Sequence, residues 1–274
     1  MGDYLRPSSL DEALLALARP WTVLAGGTDF YPARVGRVID ENVLDISGIP
    51  ALRGISADPS GWRLGATTTW SELIETPLPP LFDGLKQAAL EVGGRQIQNV
   101  GTIAGNLCNA SPAADGVPPL LALDAEVELA GRAGARRLPL AAFITGNRRT
   151  TLAPGELLVA LHVAEPAHDA RSAFLKLGAR RYLVISIAMA AATLEIERDR
   201  VAGARIAVGA CSPVAQRLPA LEAALVGAPI AEIAERVDAA HLAPLSPIDD
   251  VRGSAAYRRD AVVTVLRRLL RSFA

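Results

Sequence analysis

Leu10, Ala13, Leu14 and Leu17 recur at helical spacing, with Ser9 three residues before Glu12. Residues 8–18 are therefore expected to form a helix opened by a capping box. The apolar run at 21–24 is short and continuous, which predicts a buried strand, and the turn Ala25-Gly26-Gly27-Thr28-Asp29 follows it at once. A short helix near 30–36 and a strand at 43–46 complete a small α/β unit punctuated by Gly48 and Pro50. Further strands are expected at 62–66, 126–130 and 157–163. Helices are expected at 70–74, with Ser71 near its cap, and at 84–91, and residues 95–100 read as a loop. From residue 170 the pattern predicts an antiparallel hairpin, 182–196 with 204–210, turning near Asp199-Arg200. Helices follow at 219–226, 231–240 and 254–272, the last with Ala261, Val262, Val265, Leu266, Leu269 and Leu270 along one side.

These elements make an α+β protein of mixed sheets in three units, 1–55, 56–168 and 169–274. No G-x-G-x-x-G links a first strand to a helix, which argues against a doubly wound dinucleotide fold.

Small polar residues concentrate in one window, 99–129, where Gly101, Thr102, Gly105, Asn106, Asn109, Ser111, Asp115 and Gly116 precede an apolar run. Small residues admit close backbone approach, and Thr, Asn and Ser bring hydrogen-bonding groups that are costly to bury without partners. The window reads as a loop wrapped around a polar ligand. The Gly26-Gly27 turn can offer successive N–H groups as a concave anion site. Two such turns suit the two phosphates of a dinucleotide, and each alone equally suits a tight connection in an α/β core.

LAGGTDF at 24–30 and TIAGNLCNASPAAD at 102–115 resemble the paired FAD-binding loops of the FAD-binding (medium) subunit of the molybdenum hydroxylases, the xanthine dehydrogenase and carbon monoxide dehydrogenase type. FLKLGAR around Lys176 and RGSAAYRR at 252–259 extend the resemblance over nearly the whole chain. It implies a two-subdomain FAD-binding fold of the vanillyl-alcohol-oxidase/PCMH type over 1–55 and 56–168, followed by a C-terminal antiparallel sheet with helices over 169–274. It also implies FAD as cofactor. Gly26, Gly27 and Thr28 would serve the pyrophosphate, with Leu24, Ala25, Asp29 and Phe30 completing that loop, and a bulky side chain at Gly27 would intrude on the phosphate. Thr102, Gly105 and Asn106 would close over the dinucleotide, and Asn109 and Ser111 would add polar contacts. Asp115 is expected to accept from a ribityl or ring donor, the alternative being a helix cap before Val117. Leu158 and Lys176 also match family contacts, Lys176 either near the flavin N1–C2=O edge or as a surface lysine. The chain departs from the pattern at Ala104-Gly105, where a glycine pair is usual, and at Gln98, often basic. Val92 stands where some relatives carry an aromatic that stacks on the flavin, with Tyr182 as the candidate substitute.

The partners implied are an iron–sulfur [2Fe-2S] small subunit, a molybdenum-cofactor large subunit that selects the substrate, and an external acceptor: NAD+, a quinone or oxygen. The chain's own two cysteines cannot supply the four thiolates of a Cys-ligated cluster, and Cys108 reads as a small buried side chain. Three histidines lack metal-site spacing. A net charge of −1 and 4% aromatic residues argue against nucleic-acid binding, and Arg136-Arg137 and Arg148-Arg149 read as solvated faces. The N-terminal residues show no signal pattern, and the longest mostly apolar run, 182–194, is too short to span a bilayer as a helix. A cytoplasmic electron-transfer subunit is the leading reading. A free-standing flavin oxidase or dehydrogenase acting on its own substrate, and a cofactor-free assembly protein, are the alternatives.

Overall fold

In the computed structural model, which describes residues 2–274, the first layer is a parallel sheet in which β1 (Tyr4–Leu5) and β2 (Thr22–Leu24) flank β3 (Val43–Asp45). Met1, where the expected first unit begins, lies outside the described residues. Parallel strands need crossovers, and α1 (Leu10–Ala16) provides the one between β1 and β2. Its capping box is half made: Ser9 Oγ accepts from Glu12 N at 3.2 Å, while the Glu12 carboxylate takes the Ser8 N–H instead. The helix expected at 30–36 is a single 3-10 turn, Pro32–Arg34.

A second, antiparallel sheet begins with β4 (Ile55–Asp58) and β5 (Gly61–Gly65). The chain then makes a helical excursion through α2 (Trp70–Glu75), α3 (Asp83–Glu91), α4 (Arg95–Gln98), α5 (Ile103–Asn109) and α6 (Val117–Ala122). It returns as β6 (Glu126–Gly131) and β7 (Gly134–Pro139). The short α7 (Leu140–Phe143) and a separate hairpin of β8 (Ile144–Gly146) and β9 (Arg149–Thr150) follow, and then β10 (Leu157–Ala164), which inserts centrally to give the order β4-β5-β10-β6-β7. Two loop expectations are corrected here. Residues 95–98 are helical, and so is half of 102–115, because Ile103, Ala104 and Leu107 share a buried face and Thr102 caps the start. The cap of α2 is Thr69, in a complete capping box with Glu72, and not Ser71.

The third sheet is antiparallel: β11 (Ala170–Leu177), β12 (Ala188–Glu197), β13 (Arg200–Gly209) and β14 (Gln216–Arg217) in sequential order. Arg198 and Asp199 both take positive φ in the β12–β13 turn, the signature of a two-residue hairpin. Ala188, Ala190, Ala192 and Leu194 face the core shared with α8 (Pro219–Leu225) and α9 (Ala255–Arg271). Met189 and Ala191, the alternate positions, pack with Ala88 of α3 and Ala122 of α6. With both faces covered, the run is continuously apolar instead of alternating. It is also shorter than expected: residues 182–187 are not strand, and Leu183 takes a left-handed φ of 51°. Residues 231–240 hold no α-helix, but the 3-10 segments Ile230–Arg236 and Ala239–Leu242.

β11 is an edge strand stapled to the helical excursion. Ser172 Oγ donates to Leu81 O at 2.6 Å and accepts from Gly84 N at 2.8 Å, and Phe174 N donates to Gln87 Oε1 at 2.7 Å. A Cβ on Gly84 would lie 2.9 Å from the Ala173 backbone, so only glycine permits this approach. No helix among the described residues is long and apolar enough to cross a membrane.

Candidate functional site

β2 ends at Leu24 and releases the chain into the turn Ala25 to Phe30, which is braced from behind. Arg34 donates to Phe30 O at 2.8 Å, lies over the Phe30 ring at 3.8 Å and pairs with Glu41. Within the turn, the N–H groups of Gly26, Gly27, Thr28, Asp29 and Phe30 find no acceptor among the described residues. Five consecutive unpaired donors are costly unless water or a ligand answers them. Gly27 holds φ at 71°. A Cβ there would meet the exposed Tyr31 ring at 2.6 Å, so a side chain at Gly27 must displace that ring as well as enter the cavity that Gly27 lines.

The second segment is fixed by backbone bonds to the start of α2. Trp70 N donates to Gly101 O at 3.1 Å and Ile103 N to Thr68 O at 3.0 Å. Ser71 Oγ donates to Asn99 Oδ1 at 2.6 Å. Thr102 Oγ1 accepts from Gly105 N at 3.0 Å, and Asn106 Oδ1 from Gly116 N at 3.3 Å. The two segments touch at Gly26, where a Cβ would lie 2.0 Å from Val100 O.

Between them lies a cavity of about 420 Å³, inside the roughly 300–1,000 Å³ usual for small-molecule sites. Leu24 through Phe30, Thr102, Gly105, Asn106, Asn109 and Leu158 all line it. So do residues that carried no sequence signal as site residues: Ile46, Ala66, Trp70, Ile97 and Leu157 are apolar and look like core. Val92 lines it too, whereas Tyr182 does not and is exposed.

Residues 1–166 match the family described as the FAD binding domain in molybdopterin dehydrogenase, and residues 173–273 the CO dehydrogenase flavoprotein C-terminal domain. The chain belongs to this family of FAD-binding subunits. It is 30% identical to the xanthine dehydrogenase FAD-binding subunit of Escherichia coli O157:H7, covering 97% of this chain and 94% of that one. It is also 30% identical to the carbon monoxide dehydrogenase medium chain of Hydrogenophaga pseudoflava, covering 98% and 95%. A chain of the reconstituted CO dehydrogenase from Oligotropha carboxidovorans superposes with a TM-score of 0.90 at 28% identity, over 100% of this chain and 99% of that chain. The protein is thus an FAD-dependent oxidoreductase subunit of the α+β fold that these relatives share.

The residues present fit FAD. A flavin dinucleotide needs donors for a pyrophosphate and an apolar slot for its rings. Residues 26–30, whose N–H groups and Thr28 hydroxyl have no partner among the described residues, line the same cavity as Leu24, Val92, Leu157 and Leu158. Three expected contacts lie elsewhere. Ser111 Oγ accepts from Ala113 N at 3.3 Å within its own turn. Asp115 has both oxygens engaged, by Lys176 Nζ at 2.8 Å and Ser186 Oγ at 2.9 Å, and does not cap α6, whose N-cap is Gly116. Lys176, 4% exposed, is neither a surface lysine nor a cavity wall; it reaches Asp115 and, at 3.5 Å, Glu91 O. Burial raises the Asp115 carboxyl above its ordinary range, while Lys176 and Ser186 pull it down.

Cys108 also departs from expectation. It lines the cavity and is exposed there, not buried. Arg148, read from sequence as a solvated face, reaches both cavity segments: its guanidinium bonds the Asn109 side chain and lies 4.0 Å from Asp29.

Proposed function

We propose that this chain is the electron-outlet subunit of a three-component molybdenum hydroxylase. It would connect a partner's [2Fe-2S] clusters, themselves fed by a molybdenum-cofactor subunit, to an external acceptor such as NAD+, a quinone or oxygen. The observation that carries the reading is the composition of the cavity. It offers donors for a pyrophosphate and an apolar slot, and Asp29 is the one ionisable carboxylate or amine side chain in its described wall. No side chain there is placed as a buried base for a small substrate, which disfavours a free-standing oxidase. When bound, FAD supplies redox chemistry that can exchange single electrons with a cluster and pairs with an acceptor.

The residues of this chain then have binding and orienting roles. The N–H groups of Gly26 through Phe30 and the Thr28 hydroxyl hold the pyrophosphate. Thr102, Gly105 and Asn106 would flank it from the second segment, with Asn109 in the same cavity wall. Leu24, Ala25, Val92 and Leu158 exclude water along the slot. Ser111, Asp115 and Lys176 act from behind, Ser111 by shaping its turn and the ion pair by tying that turn to the third sheet. Relatives named for xanthine and for carbon monoxide are each 30% identical to this chain, which supports placing substrate choice in the molybdenum subunit.

The test is anaerobic bleaching of flavin absorbance after substrate addition. Bleaching is expected only when the FAD-loaded chain is combined with its iron–sulfur and molybdenum subunits, recovered by copurification from the native host. Rapid bleaching of the isolated chain by a small organic substrate would overturn the proposal in favour of the oxidase.

A further inference from the structure

The tip of the β8–β9 hairpin lies against the C-terminal end of α5. Arg148, at this tip, holds a left-handed φ of 58°, and its N–H donates to Ala110 O at 2.9 Å. Ala110 is itself left-handed and closes α5. Two non-glycine residues in this conformation at one contact mark a backbone held in place by its surroundings. From this anchor the guanidinium bonds the Asn109 side chain, approaches Asn109 O at 3.5 Å, and lies 4.0 Å from Asp29 Oδ1. Asn109 belongs to the second cavity segment and Asp29 to the first. Every side-chain contact that Arg148 makes uses Nη1, and its Nε and Nη2 have no partner among the described residues.

We infer that Arg148 is a clasp across the mouth of the cavity, a positioning residue that holds the two cofactor-binding segments together and retards release of FAD. The inference rests on the cofactor reading above. Its ion pair with Asp29 is exposed, 57% and 61% for the two side chains, and such pairs contribute little by themselves. The effect therefore comes from position: Nη1 alone meets the Asn109 side chain on one segment and lies 4.0 Å from Asp29 on the other, a reach the shorter lysine side chain does not match. The guanidinium also places a positive charge beside a site that takes a pyrophosphate, with two donor nitrogens still free for an anion.

The test uses the full-length chain loaded with FAD, diluted into excess apo-acceptor flavoprotein, with release followed by flavin fluorescence. Arg148→Gly keeps the left-handed backbone accessible, and Arg148→Lys keeps the charge. Arg148→Gly is expected to release FAD at least about tenfold faster, a change of ~1.4 kcal/mol, with the melting temperature of the apo chain unchanged. Arg148→Lys is expected to fall between this and the wild type. Adding Asp29→Asn to Arg148→Gly is expected to give little further acceleration, because both changes break one bridge. Equal release rates for wild type and Arg148→Gly overturn the clasp alone. A lysine variant that retains FAD as the wild type does overturns the requirement for the guanidinium's reach and its two further donor nitrogens. A wild-type chain that takes up no FAD overturns the cofactor reading and the clasp with it.

Discussion

Lys176→Met keeps an unbranched side chain of similar length and removes an ammonium 2.8 Å from Asp115 Oδ2. The two side chains are 4% and 12% exposed, so little water can replace the lost partner. Removing one member of a buried pair costs about 3–5 kcal/mol, which is roughly two to three and a half decades in the folding equilibrium. Desolvation already raises the Asp115 carboxyl, and losing Lys176 removes the strongest opposing influence. A carboxyl raised on folding keeps a proton that the unfolded chain has lost. The variant should therefore be most stable near the ordinary carboxylate range, around pH 4, and lose stability as pH rises through the folded-state pKa. Urea unfolding at several values between about pH 5 and 8 measures this. The double variant Lys176→Met with Asp115→Leu is expected to recover most of the loss, because replacing both partners by apolar groups is near neutral or stabilising. A single variant within about 1 kcal/mol of wild type throughout would mean that the pair behaves as an exposed one, and the reasoning would fail.

Gly26→Ala would place a Cβ 2.0 Å from Val100 O. It should force the two segments apart at about 1–3 kcal/mol and weaken FAD affinity while the circular dichroism spectrum is retained; unchanged affinity would show that the contact yields freely. Cys108, exposed on the cavity wall, should be alkylated by iodoacetamide in the chain without FAD. The rate should rise with pH and be suppressed by FAD, and mass spectrometry showing labelling unchanged by FAD would refute its place in the cofactor cavity.

The two glycine-bearing segments were legible because their chemistry is local: a turn with free N–H groups must be written in small residues close together. The helix inside the second segment was obscured by the same smallness, since Ala104, Gly105 and Asn106 suggest a loop until Thr102 is seen capping them. Asp115 and Lys176 stand far apart in sequence, and their pairing depends on β11 meeting the turn before α6, which no periodicity announces. β11 itself was not anticipated, because its residues alternate weakly and its edge is satisfied by side chains of α3. Arg148 was hidden for a different reason. An arginine pair on a hairpin tip looks the same in sequence whether it meets water alone or, still 57% exposed, also meets Asn109 and Asp29.

The staple between Ser172, Gly84 and Gln87 bears on how such subunits can be recombined. The two family matches meet between residues 166 and 173, and that stretch invites use as a crossover point for chimaeras. Yet the strand that begins there is bonded through Ser172 and Phe174 to Leu81, Gly84 and Gln87. A C-terminal half grafted from a relative arrives without its own α3. It must find a glycine that admits its strand backbone and an amide that answers its edge N–H. Chimaeras that exchange residues 80–88 together with the C-terminal half preserve this fit, so the functional crossover unit is discontinuous in the gene.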